Sequence, residues 1–113
     1  MSVEYAEGQD SRNEELAAKA AGIDIDLSVS SPLLWDCKRE AYWNPLTDDA
    51  DSFRLMTKLR IDVSFGFKVI RAEHRDSDID SDVYFDPTRS GDDLRAVRKA
   101  VLAVAVQIGK ELK

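Results

Sequence analysis

The chain has 113 residues, 43% of them hydrophobic and 34% charged, with a formal net charge of -6. That length holds one domain with a core large enough to need no disulfide or metal staple, and the balance is globular rather than disordered. The acidic charge argues against direct nucleic-acid binding, which relies on clustered Lys and Arg, and no apolar run approaches the ~20 residues of a membrane span.

Residues 1–11 are polar and without period, and are expected as a flexible tail before a single domain over 12–113. Glu4, Glu7 and Asp10 appear there with no cationic stretch, so no secretory signal is expected. Cys37 is the single cysteine, which rules out an internal disulfide and suits a reducing cytosol. Ser11 with Glu14 offers a capping box, Leu16, Ala17, Ala20 and Ala21 follow at helical spacing, and Gly22 is a natural stop. So short and alanine-rich a helix must draw its stability from packing.

Ile23, Ile25, Leu27 and Val29 alternate with polar residues as in an edge strand, which Ser30, Ser31 and Pro32 break. Leu33 to Trp35 and the pair Tyr42-Trp43 flank a charged turn, Asp36 to Glu40, and predict a loop or irregular hairpin that plugs one end of the core. Thr47 precedes Asp48, Asp49 and Asp51, the pattern of a capped helix start with acids on the positive end of the dipole. Metal binding is the alternative for that acid cluster. Phe53, Met56 and Leu59 are the expected buried stripe, flanked by Ala50 and Leu55.

The period then changes from 3.6 to 2. Ile61, Val63, Phe65, Phe67 and Val69 alternate with polar residues and glycine, predicting one half-buried strand in which Gly66 marks a bulge or bend. An acidic loop from His74 to Asp82 follows, Val83 to Phe85 returns as a second strand, and Pro87 to Gly91 closes the segment. The last helix, capped by Ser90 or Asp92, runs to near Lys113 with a stripe of Leu94, Val97, Val101, Val104, Ala105, Ile108 and Leu112. Leu102 and Val106 fall off that stripe. Either the helix is buried on two sides or they form a homodimer face. The fold class expected is α+β: an antiparallel hairpin or small sheet packed against two or three helices.

Candidate chemistry is sparse. Asp76, Asp78, Asp80 and Asp82 alternate as calcium ligands do at the start of an EF-hand loop, but Ser81 stands where glycine is needed and Pro87 where a bidentate Glu is needed. His74 is the single histidine, and no motif orients it toward Cys37. The five glycines form no phosphate loop. No catalytic residue, cofactor or metal site is therefore expected. Between Glu73 and Asp93 the acids Glu73, Asp76, Asp78, Asp80, Asp82, Asp86, Asp92 and Asp93 oppose Arg75 and Arg89. Such a patch steers a basic partner or mimics nucleic-acid phosphate, and it also reads as a solvated loop.

The stretch Tyr42-Trp43-Asn44-Pro45-Leu46-Thr47-Asp48-Asp49-Ala50-Asp51, continuing through Leu55 to Lys58-Leu59, resembles the signature of a family of small uncharacterised phage and prophage proteins. Ala17 to Gly22 and the Arg-rich then Ala-rich helix Arg95 to Gly109 resemble two further segments of that family, so the likeness spans about residues 14–113. The chain has Ala50 where the family usually shows glycine, and its middle loop and acidic loop are its own. The resemblance implies a virus-encoded protein acting in the host cytoplasm, and no activity. Trp43, Asn44 and Pro45 then read either as structure (a buried ring, a backbone-bonding amide, a fixed approach to the helix) or as a surface site on Trp43 and Asn44.

Two functions follow as expectations. One is a binding protein that modulates a host process such as an antiviral defence complex through Asp76, Asp78, Asp80 and Asp82, with Trp43 and Asn44 as further contacts. The other is a small enzyme or metal-dependent accessory factor, for which Cys37 and His74 would have to meet in one pocket.

Overall fold

The computed structural model describes residues 1–26 and 34–112. Three helices and two small antiparallel sheets make an α+β fold. Helix α1 spans Asp10–Ala21; strands β1 (Ile25–Asp26), β2 (Leu34–Asp36) and β3 (Ala41–Trp43) form the first sheet; helix α2 spans Asp49–Leu59. Strands β4 (Ile61–Gly66), β5 (Val69–His74) and β6 (Asp80–Tyr84) form the second sheet, and helix α3 (Asp92–Glu111) closes the chain.

The core is organised around α3. Every residue from Ala100 to Val106 is buried, because α3 packs against α1, against α2 and against each strand of the second sheet. A helix apolar all round needs cover on all sides. Leu102 is 0% exposed and Val106 6%, so of the two alternatives burial on two sides holds: both are core and neither presents a homodimer face. The expected stripe frays at its ends, where Leu94 and Leu112 are exposed.

The α1–α3 contact explains the alanines. Leu16, Ala17, Ala18 and Ala21 meet an α3 face rich in small residues, and at Gly109 the backbones touch: a Cβ there would lie 2.1 Å from the Leu16 carbonyl oxygen. Gly22 ends α1 in the left-handed region, φ 70°, as expected. The start differs from expectation. Gln9, with no side-chain cap, occupies the position assigned to Ser11, and Glu14 is buried instead of closing a capping box. Residues 1–11, expected as a flexible tail, make defined contacts: Ser2 bridges Asp80 in parallel, Val3 N donates to Asp80 O at 2.8 Å, and Glu7 pairs with Lys99.

The first sheet is the expected irregular hairpin with β1 added at its edge. Its inner face buries Leu34 and Trp43, while Trp35 and Tyr42 meet edge to face at 5.1 Å on the other. Leu27, Val29, Ser30, Ser31, Pro32 and Leu33 lie outside the described residues.

Four expectations are corrected. Asp48, not Thr47, caps α2, its Oδ1 accepting from Ala50 N at 2.8 Å and Asp51 N at 3.1 Å. The buried arc of α2 is Asp51, Ser52 and Leu55, leaving Phe53 62% exposed. Met56 and Leu59 of the expected stripe do pack, half-buried, against the core, and Phe53 alone is turned out, while a paired carboxylate takes an inward position. The run Ile61–Val69 is not one strand but a hairpin turning at Phe67 and Lys68, with Gly66 opposite Val69. A two-residue turn preserves the period of 2, which is why the break was invisible. The acidic loop shrinks likewise: Asp80 and Asp82 belong to β6, a third strand.

Alanine at an exposed helical position stabilises relative to glycine by about 1 kcal/mol. For Gly109→Ala the opposite sign is expected, a loss of about 2–4 kcal/mol, because the methyl group must displace the α1 backbone. Urea unfolding with the m-value checked measures it, and a stabilised variant would show that α1 does not dock at Gly109.

Candidate functional site

Alternation places Asp80 and Asp82 of β6 on the face of the second sheet opposite Ile79, Ser81 and Val83. Cross-strand register sets Asp62, Glu73 and Asp80 in one row, Ser64, Arg71 and Asp82 in the next, and Gly66, Val69 and Tyr84 in the third. Arg71 organises this face. Its guanidinium bonds Glu73 Oε1 at 2.5 Å, Asp80 Oδ2 at 2.9 Å and Asp82 at 3.1 and 3.2 Å. Those bonds, first to Glu73 and then to Asp82, hold the guanidinium firmly protonated.

Asp76 and Asp78 sit apart from that cluster, in the β5–β6 turn, with Asp78 near the amino terminus at 3.5 Å. Arg75 pairs with Asp62 at 3.0 Å. The four aspartates expected as one loop are thus split between a turn and a strand. Among the described residues no three His, Cys, Asp or Glu side chains converge where a metal ion could sit.

The Trp43–Asp51 motif is built around a buried carboxylate that the sequence reading passed over. Asp51, its side chain almost wholly buried, accepts from Asn44 N at 2.9 Å through Oδ2 and from Arg39 and Arg54 at 3.1 and 3.0 Å through Oδ1. One arginine comes from the β2–β3 turn and the other from α2, so a single acid fixes three segments. The Asn44 carbonyl accepts from Asp48 N at 2.9 Å, and Arg98 of α3 binds Leu46 O at 2.8 Å and Asp49 at 2.6 Å. Trp43 is 2% exposed and Asn44 half-buried; both are used first by the fold.

Beside this network lies a cleft of about 410 Å³. Ala21, Ile23, Trp43 and Leu55 contribute its apolar lining, Lys38, Arg39, Arg54 and Lys58 its cations, and Asp24 and Asp36 its acids. The signal was present in the sequence as the charged turn Asp36–Glu40 and the i,i+3 pair Asp51–Arg54, but only the tertiary contact brings them together.

Cys37 and His74 lie in separate sheets, the first in the β2–β3 turn and the second at the end of β5. His74 Nδ1 is 2.7 Å from Ser77 Oγ. Burial, helped by Asp24, Asp26 and Asp36, raises the Cys37 thiol above its ordinary value, the opposite of what activates a nucleophile.

One further ionisable group is unusual. Glu14 is 4% exposed and its Oε2 has no hydrogen-bond partner. Burial pushes its carboxyl up to about 7, Asp10 and Asp51 add to the rise, and the Leu46 amide opposes it. The folded protein therefore binds a proton more tightly than the unfolded chain does. Stability from this group is full below about pH 4.5, falls as pH rises toward 7, and then levels. Glu14→Gln is expected to stabilise the protein at pH 8 by about 1–3 kcal/mol and to remove that slope. Denaturation series at pH 5 and pH 8 on both proteins check it; an unchanged slope would place the titration elsewhere.

Comparison of the chain with protein-family models, with curated proteins and with solved structures returns no match.

Proposed function

We propose that this is a phage-encoded binding protein that works in the host cytoplasm by covering a basic surface of a bacterial protein, such as a component of an antiviral defence complex. The observation that supports this reading is the open face of the β4-β5-β6 sheet. Six acids, Asp62, Glu73, Asp76, Asp78, Asp80 and Asp82, stand on that face and its adjoining turn against Arg71 and Arg75. Three of them are held by Arg71, so little side-chain freedom remains to be lost on binding. Tyr84, exposed in the third row, supplies the aromatic anchor that charge alone lacks.

The phage origin and host setting rest on the likeness of the Tyr42–Asp51 stretch to the phage and prophage family. Action by binding rather than catalysis is favoured by the state of the two residues an enzyme reading would need: a thiol shifted up and a histidine engaged with Ser77. No helix among the described residues is long and apolar enough to cross a membrane.

The immobilised protein is expected to retain a basic host protein from lysate at low salt and to release it near about 0.5 M salt, where screening extends only a few ångströms. Asp76→Asn with Asp78→Asn removes two turn acids and leaves the Arg71 cluster intact. That double variant is expected to weaken capture at least about fivefold, or roughly 1 kcal/mol, with an unchanged melting curve. Capture that survives both high salt and the substitution overturns the reading.

A further inference from the structure

The cleft beside Asp51 is not used by the acidic sheet face, and its chemistry is of the opposite sign. Four cations and two acids line it in a chain whose net charge is -6. One of the acids is partly occupied by the fold: Asp36 Oδ1 accepts the backbone amides of Lys38 and Arg39 at 3.1 and 3.3 Å, while Asp24 is exposed. The cations are differently placed. Arg39 and Arg54 each give one terminal nitrogen to Asp51 Oδ1, which fixes both guanidinium groups from below. Lys38 and Lys58 are exposed at the rim.

A buried carboxylate that orients two arginines from different elements makes a preorganised site, because the forks need not be ordered again when a ligand arrives. Guanidinium forks match the planar or tetrahedral oxygens of a carboxylate or phosphate better than lysine ammonium does. Ile23, half-buried beside them over the buried Ala21, Trp43 and Leu55, offers apolar surface that a bare inorganic anion cannot use. A volume of about 410 Å³ falls within the range of small-molecule pockets and is far too small for a folded partner.

We propose that this cleft binds a small organic anion, with a carboxylate or phosphate held by Arg39 and Arg54 and its apolar body lying against Ile23. Lys38 and Lys58 draw the anion in and close over its polar end. Asp51 does not touch the ligand; it is a positioning residue for the two arginines.

Titration of the intact protein with four probes, read by amide shifts of Gly22, Asp24, Lys38 and Arg39, tests this. Adenosine monophosphate and indole-3-acetate represent the phosphate and carboxylate forms of the ligand, inorganic phosphate the anion alone, and adenosine the apolar body alone. At least one aromatic anion is expected to bind below about 1 mM, with phosphate and adenosine each about tenfold weaker or more. Which of the two anions binds better decides the head group. Lys38→Glu with Lys58→Glu, both on exposed positions, is expected to weaken binding at least about tenfold with an unchanged melting temperature. Arg54→Lys retains the charge but not the fork, and is expected to weaken binding while leaving the sheet-face interaction intact. Absence of shifts at these amides with either aromatic anion at about 10 mM, or equal binding by the double lysine variant, overturns the proposal.

Discussion

Everything in this fold depends on covering one helix from more than one direction. The run Ala100–Val106 of α3 is apolar at successive positions, so no single packing partner suffices. The chain meets the demand by building two different partners before α3 appears: α1 with its small residues, and the β4-β5-β6 sheet with Ile70, Ala72 and Ser81 turned inward. Close approach is the condition on the helical side, and Gly109 against Leu16 satisfies it with backbone contact. The two mostly apolar surfaces that α3 unites are themselves separated by some forty residues of hairpin and helix, and the motif around Asp51 joins them.

That junction is electrostatic. A buried carboxylate is costly unless its oxygens are fully used, and an isolated one would protonate rather than stay charged. Asp51 spends its oxygens on two arginines and an amide, so its burial ties the β2–β3 turn, the segment after Trp43 and α2 to one point. Glu14 shows the alternative outcome nearby: buried, one oxygen unpartnered, and shifted up to about 7. Two acids in the same neighbourhood thus differ in their surroundings: Asp51 has cations within hydrogen-bond reach, whereas Glu14 is raised by burial first and by Asp10 next.

Much of this was legible in the sequence where a single principle governs a position. Gly22 stopping α1, the burial of Trp43 and the fold class follow from local chemistry and period. Where two principles compete, the period misleads. Asp51 and Ser52 are buried on α2 while Phe53 is exposed, because Asp51 enters with its partners already supplied by Arg39, Arg54 and the Asn44 amide. Asp76, Asp78, Asp80 and Asp82 have the alternation of a loop of ligands and equally of a strand with a wet face. Ile79, Ser81 and Val83 between them were the distinguishing signal, an inward set that a solvated loop has no need for. The cleft was illegible for a different reason. Arg39, Arg54 and Lys58 are unremarkable surface residues in sequence, and only a three-way tertiary contact through Asp51 turns them into one site.

An acidic protein with a cationic cleft is not a contradiction once distance enters. The charge of -6 governs the far field and repels small anions at low ionic strength. At physiological salt, screening sets in within about 8 Å, whereas the molecule extends 42 Å along its longest axis. An anion close to Arg39 and Arg54 therefore feels chiefly the groups around the cleft, its four cations together with Asp24, Asp36 and Asp51. By the same screening, a positive charge brought to the β5–β6 turn would feel chiefly Asp76 and Asp78. Segregating opposite charges onto separate surfaces lets each act by its own local field. It also explains why the chain uses Arg71 to gather three carboxylates on the sheet while Asp51 gathers two arginines at the cleft: in each case one central charge fixes its opposites and leaves the excess facing outward.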